Sequence, residues 1–164
     1  SLEECKKLGD KVNKNSGSMG VALTSCSVPA AGKPNFEIGD DEMEFGVGIH
    51  GEPGRRRDKI KSAQEITSEL LEAINEDLKP ESNEEILLFV NGMGGTPLTE
   101  LYLIFDNAKN VLDKKNIKIS RSLVGNYCTS LEMQGVSITL TKLDEELVKH
   151  WDSSVLTAAM RWGM

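Results

Sequence analysis

"ILLFVNGMGGTPLTELY", residues 86–102, sets a continuous apolar run against a glycine-rich break and then a segment with apolar residues at helical spacing. The run Ile86–Val90 has strand length and no polar alternation, which fits a strand covered on both faces or lying at the centre of a sheet. Turn residues end it, and Thr96 with Pro97 reads as an N-cap and first-turn pair. The helix opened there is expected to bury Leu98, Leu101, Tyr102, Phe105 and Leu112. Strand, tight turn and helix in that order is a unit of an α/β fold.

The same two periodicities extend in both directions. Downstream, Ile117, Ile119 and Leu123 alternate with Lys118, Ser120 and Ser122, and Val136, Ile138 and Leu140 alternate with Ser137, Thr139 and Thr141. Both read as half-buried strands. Upstream, Ile66, Leu70, Ile74 and Leu78 step by four from Ser62 to a stop at Lys79-Pro80, one stripe of a helix. Leu2, Cys5, Leu8 and Val12 mark a first helix that Asn13 to Gly17 should stop. A small-residue strand is expected at 19–28, then a polar connection over 29–44, and a short helix "DEELVKHW" near the end. Strands and helices alternate early and two strands run consecutively late, so the expected fold is α/β, a mixed β-sheet covered by helices, with residues 1–164 as a single domain.

Composition narrows the function. The 164 residues are 27% charged and 38% hydrophobic with a net charge of −7, a globular balance that argues against nucleic acid or an anionic membrane surface as partner. No apolar run approaches bilayer length, and "SLEECKKLGDKVNKN" is charged from its third residue, unlike a signal peptide, so a cytoplasmic location is expected. The start without Met, directly on a helical pattern, points to a piece of something longer. Cys5, Cys26 and Cys128 are odd in number and have no CxxC spacing, which disfavours a disulfide framework or structural zinc and leaves buried, inert thiols as the expectation. The one basic cluster, "RRRDKIK" at 55–61, carries five cations and is expected to help dock an acidic or phosphoryl-bearing partner.

Chemistry concentrates in "EFGVGIHGEPG", residues 44–54. His50 stands among four glycines and a proline rather than in a packed helix or strand. Glycine there leaves room for another group to approach the ring closely. No second histidine lies at ligand spacing, so a metal site has little support. "NGMGGTP" invites a phosphate-loop reading, since a glycine-rich turn before a helix aims backbone N–H groups at an anion. It lacks the Gly-Lys-Ser/Thr ending of that motif, and a tight strand-to-helix turn is the preferred reading. His150, beside Trp151, suits the exposed end of its short helix.

Several long segments in order, "CSVPAAGKPNFEIGDDEMEFGVGIHGEPG", "NGMGGTPLTELY", "VGNYCTSLEMQGVSITLTKLDEELVKHWDS" and the closing "RWG", resemble the C-terminal half of the dihydroxyacetone kinase substrate-binding subunit, of the bacterial phosphotransferase-linked type. The likeness covers nearly all of the chain. It implies that a preceding domain is absent here and that His50 is the catalytic and substrate-binding residue, forming a covalent hemiaminal with dihydroxyacetone. A neutral imidazole has a nucleophilic nitrogen near pH 7, and a ketone carbon is the electrophile that suits it. Glycerol has no carbonyl and cannot form the bond. The resemblance further implies a glycerone kinase activity in which a separate subunit carries ADP/ATP and is recharged by a phosphocarrier protein. No cofactor is expected on this chain, the full-length subunit is expected to be a homodimer, and the isolated 164-residue chain is expected to be inactive. The alternative is a dihydroxyacetone-sensing paralogue that controls a transcriptional regulator.

Overall fold

Ile86, Leu88 and Val90 are fully buried, and the chain is arranged around the strand that holds them. The computed structural model describes residues 1–50 and 54–163. In chain order the elements are α1 (Leu2–Lys14), β1 (Ser16–Ala22), β2 (Ser27–Val28), β3 (Lys33–Pro34), β4 (Glu42–Phe45), β5 (Arg56–Lys59), α2 (Ala63–Leu78), β6 (Glu85–Gly92), α3 (Leu98–Lys114), β7 (Lys118–Gly125), β8 (Gly135–Lys142), α4 (Glu145–Trp151), β9 (Val155–Leu156) and β10 (Arg161–Trp162). Six strands form one mixed sheet in the order β5-β4-β1-β8-β6-β7. β6 and β7 are parallel, joined by α3 as a βαβ crossover, and every other neighbouring pair is antiparallel. No helix among the described residues is long and apolar enough to cross a membrane.

The expected mixed α/β sheet with covering helices is what forms. Ser62 and Glu65 close a reciprocal capping box at the start of α2, and Lys79 ends it in the left-handed conformation before Pro80. The buried stripe Ile66, Leu70, Leu71 and Ile74 packs with α3 onto one sheet face, against Met19, Val21, Ile86, Leu88, Val90, Ile138 and Leu140. Pleating sends the intervening residues to the opposite face.

Four local expectations are corrected. α3 buries Leu101, Ile104, Ala108 and Leu112, whereas Leu98 and Tyr102 are 51% and 55% exposed. The helix is turned so that a period-correct alternative stripe meets the sheet. Pro97, not Thr96, is its N-cap residue, and the buried Thr96 hydroxyl donates to the Gly135 carbonyl (2.8 Å) and accepts from the Gly135 amide (2.9 Å). In β7, Ile119 faces Ile86 but Arg121 faces Leu87, so Ser120 is inserted and Leu123 points opposite to Ile119. The first strand also comes early: Asn15 alone separates α1 from β1, held by its side-chain amide to the Lys11 carbonyl (2.9 Å).

α1 buries no residue fully. Its Leu8 and Val12 lean toward Leu87, Leu143, Leu147 and Trp151 on the second face of the sheet, and Lys11 reaches Asp144 (2.5 Å) and Glu146. Asp144 also caps α4, accepting from the Leu147 amide (3.0 Å). Lys11 first and the Leu147 amide second hold the Asp144 carboxyl below its usual range. A depressed carboxylate stabilises the fold above its unfolded-state pKa and ceases to as pH falls through its folded value. Acidification below the ordinary carboxylate range is therefore expected to free α1 and α4 before the sheet opens. Hydrogen exchange on α1 amides, rising at a pH where β6 amides stay protected, checks this.

Candidate functional site

The sheet face away from α2 and α3 is small and polar across its centre. Ser18 lies opposite Thr139, Gly20 opposite Ser137, and β6 adds Phe89 and Asn91 beside them. With the segment 46–49, Met93, Arg55 and Cys128, these residues line a cleft of about 430 Å³. The Ser18 and Thr139 hydroxyls bond to each other at 2.6 Å. Buried Asn91 uses both ends of its amide: Nδ2 donates to the Cys128 carbonyl (2.8 Å) and to Ser137 Oγ (3.3 Å), and Oδ1 accepts from the Tyr127 and Cys128 amides at 3.0 and 2.8 Å. One side chain thus fastens the loop after β7 to the cleft floor. Asn91→Ala is expected to cost about 2 kcal/mol, because it leaves the part-buried Tyr127 and Cys128 amides and the Cys128 carbonyl without their partner. Urea unfolding measures the cost, and faster hydrogen exchange of the Tyr127 and Cys128 amides reports the released loop.

The histidine segment is laid over this floor by specific contacts. Gly46 turns the chain out of β4 with φ of 84°, and its amide donates to the Gly20 carbonyl at 2.7 Å. Val47 is buried in a second apolar cluster with Ala22, Cys26, Met93 and Met133. Gly48 and Ile49 then line the cleft, and the exposed His50 follows Ile49 in the chain. The strand pair closes again where the Arg55 amide donates to the Phe45 carbonyl (2.7 Å). Gly51, Glu52 and Pro53 of the same stretch lie outside the described residues.

The other sequence candidates are elsewhere or otherwise engaged. His150 is exposed on the last turn of α4, beside α1 rather than the cleft. "NGMGGTP" is a structural turn: the amides of Met93, Gly94 and Gly95 donate to the Gly135 carbonyl, Asn126 Oδ1 and the Met133 carbonyl at 3.1, 3.1 and 2.8 Å, leaving none of the three for an anion. Only Cys26 is the buried thiol expected, beside Ser130 Oγ at 3.3 Å, while Cys5 and Cys128 are exposed. The basic cluster is also a correction. Arg56 pairs with Asp58 and Glu69 and lies over the Phe45 ring, Arg57 pairs with Glu44 and Glu42, Lys59 with Asp41, and Lys61 with Glu69 and Asp58. Four of its five cations are thus neutralised within the fold, which removes the docking field expected of the run. Sequence reading does not mark Ser18, Asn91, Ser137 or Thr139 as site residues, and it marks Arg55 only as one cation of the basic run. Alternation in β8 does put Ser137 and Thr139 opposite the core, but nothing local marks Asn91, whose partners lie at least 36 positions away.

A family model for the Dak1 domain matches residues 1–159. The chain belongs to the Dak1 domain family. Among Dak1 relatives, the dihydroxyacetone-binding subunit DhaK of the PEP-dependent dihydroxyacetone kinase of Escherichia coli (strain K12) is 39% identical over 187 positions, covering 99% of this chain and 52% of that one. The corresponding subunit of the PTS-dependent kinase of Lactococcus lactis subsp. lactis (strain IL1403) is 43% identical over 164 positions, covering 99% and 49%. The chain therefore spans about half the length of these curated relatives. Among solved structures, the dihydroxyacetone kinase operon co-activator Dha-DhaQ superposes with a TM-score of 0.86 at 30% identity, covering 94% of this chain and 48% of that one.

Proposed function

We propose that this Dak1 chain captures dihydroxyacetone covalently through His50 and holds it for phosphorylation to dihydroxyacetone phosphate by a separate nucleotide-bearing subunit. The observation that carries the reading is an exposed histidine directly after Ile49, a residue that lines a cleft floored by hydroxyl groups. The relatives named as dihydroxyacetone-binding subunits supply the substrate class. In the capture step a ring-nitrogen lone pair forms a C–N bond to the ketone carbon, and the carbonyl π pair moves to oxygen. That oxygen gains a proton as the second ring nitrogen loses one, so the hemiaminal is neutral. Ser137 and Thr139 offer hydroxyl groups suited to the two hydroxymethyl arms.

The cleft lining contains no Asp or Glu among the described residues. Phosphoryl transfer needs a group that takes the proton of the accepting hydroxyl, which supports the reading that residues 1–164 act as the C-terminal domain of a longer, dimeric subunit and are inactive alone. ADP/ATP then belongs to the partner, recharged by a phosphocarrier, and this chain carries none. The structural match to an operon co-activator favours a second reading, capture without transfer in the service of a transcriptional regulator. [2-¹³C]Dihydroxyacetone added to the protein tests the shared step. The carbonyl signal is expected to move from the ketone region to that of a tetrahedral carbon bearing oxygen and nitrogen, and an unshifted ketone signal at saturating protein overturns it. Product formed on adding a nucleotide-bearing subunit to the longer subunit separates kinase from sensor.

A further inference from the structure

We propose that Arg55 makes the mouth of this cleft a binding subsite for a small phosphate monoester, of the size of a three-carbon polyol phosphate. The protein carries 26 acidic side chains against 19 Lys and Arg, yet the described lining of the cleft holds one formal charge, the Arg55 cation. Arg55 differs from its neighbours in the same run. Arg56, Arg57, Lys59 and Lys61 are all in ion pairs, whereas Arg55 makes none among the described residues.

Among the described residues, Glu44, Asp58 and Glu69 near it are committed to other groups. Glu44 gives Oε1 to the Gly54 amide (3.1 Å) and Oε2 to Arg57 Nε (2.9 Å). Arg55 also borders a groove on its other side that carries Asp58, Glu69, Glu72 and Glu76. Asp58 and Glu69 there are held by Arg56 and Lys61, and no carboxylate of that groove pairs with Arg55. Its side-chain stem is fixed against Gly46, where a Cβ would come within 2.8 Å of Arg55 Cγ, so the guanidinium hangs from a defined base.

The floor adds donors of the right kind. Ser137 Oγ accepts from Asn91 Nδ2 and keeps its own proton to give, and the Ser18–Thr139 pair uses one hydroxyl proton and leaves the other. A planar guanidinium that can bond two phosphate oxygens at once, in a cleft that also holds hydroxyl donors and has no acid in its described lining, selects an anion over a neutral polyol. Ile49 and Arg55 line the same cleft, so a ligand on Arg55 lies beside the histidine segment. As a subsite of the dihydroxyacetone cleft, the site draws its biological sense from the reading above: it would take the phosphoryl end of the phosphorylated triose. Its test is independent of that reading.

The probe is sn-glycerol 3-phosphate, which has no carbonyl and cannot react with His50. It is titrated into the chain and followed by amide chemical shifts. Saturable shifts in residues 46–49 and 137–139 are expected, weakened about tenfold or more by Arg55→Gln and partly retained by Arg55→Lys, since a charge-assisted bidentate contact is lost in one and replaced by a point charge in the other. Lys59→Gln, which removes an equal charge from the same run and frees only Asp41, should leave the affinity within about twofold. No saturable binding to the wild type, or equal weakening by Lys59→Gln and Arg55→Gln, overturns the proposal. Dihydroxyacetone capture is measured on the same samples. Phosphate binding that persists when the wild type fails to capture the ketone refutes only the His50 reading, and ketone capture without phosphate binding refutes only the Arg55 subsite.

Discussion

His50→Asn and His50→Ala eliminate the tetrahedral carbon signal of bound [2-¹³C]dihydroxyacetone while the unfolding midpoint in urea stays close to that of the wild type. The chemical part follows from electrons: an asparagine amide lacks an available nitrogen lone pair, so no C–N bond can form at that position. The stability part follows from placement. His50 is exposed, and the anchoring of its segment is supplied by Val47 in the apolar cluster and by the Gly46 amide on Gly20, so truncation of the ring should cost less than about 1 kcal/mol. A tetrahedral signal surviving in both variants would place the adduct on another nucleophile. Loss of the fold would instead make the imidazole a structural group.

Gly94→Ala is expected to destabilise the protein by about 4 kcal/mol or more, the largest single-residue cost predicted for the fold. Two penalties coincide there. Residue 94 has φ of 122°, a conformation that side chains with a Cβ rarely adopt, and a Cβ would overlap the Leu131 carbonyl oxygen, which is backbone and cannot swing aside. The surrounding bonds are those that seat the loop over 126–134: Gly94 amide to Asn126, Gly95 amide to the Met133 carbonyl, and Ser130 amide to the Met93 carbonyl at 2.8 Å. Gly9→Ala supplies the contrast. Gly9 lies within α1 with nothing within 4 Å of a built Cβ, so alanine should be neutral or stabilise by up to about 1 kcal/mol. Equal midpoints for the two variants in urea unfolding would refute the argument.

Periodicity carried most of the architecture because the residues that obey it report burial directly. Ile66, Leu70 and Ile74 lie on one helix face in any tertiary setting, and the uninterrupted run at 86–90 fits a covered strand, which is what forms. What stayed hidden depends on pairing across long separations. The extra residue at Ser120 exists only relative to Ile86 and Leu87, and the orientation of α3 was misread because Leu98 and Tyr102 sit on the surface while Ala108, a weak signal, is fully buried. His50 was legible from its glycine-flanked context and the family resemblance. The hydroxyl floor was half legible, since Ser137 and Thr139 alternate with core residues. Arg55 was not, because its distinction is the absence, among the described residues, of acidic partners such as Arg56, Arg57, Lys59 and Lys61 have, and those partners come from β4, from the turn before it, from β5 itself and from α2.

The internal pairing of the basic run has a consequence for how copies of the protein meet. β5 is an outer strand of the six-stranded sheet, and outer strands offer unpaired amides and carbonyls to any extended chain that passes. Its four residues, Arg56, Arg57, Asp58 and Lys59, are all charged, and ion pairs tie them to the adjoining strand, the turn before it and α2. A strand from another molecule would have to break those pairs, or lie along a row of charges with none of its own to match. The cluster therefore guards a sheet margin against fibrous growth, and it confines edge-to-edge association to the opposite margin at β7.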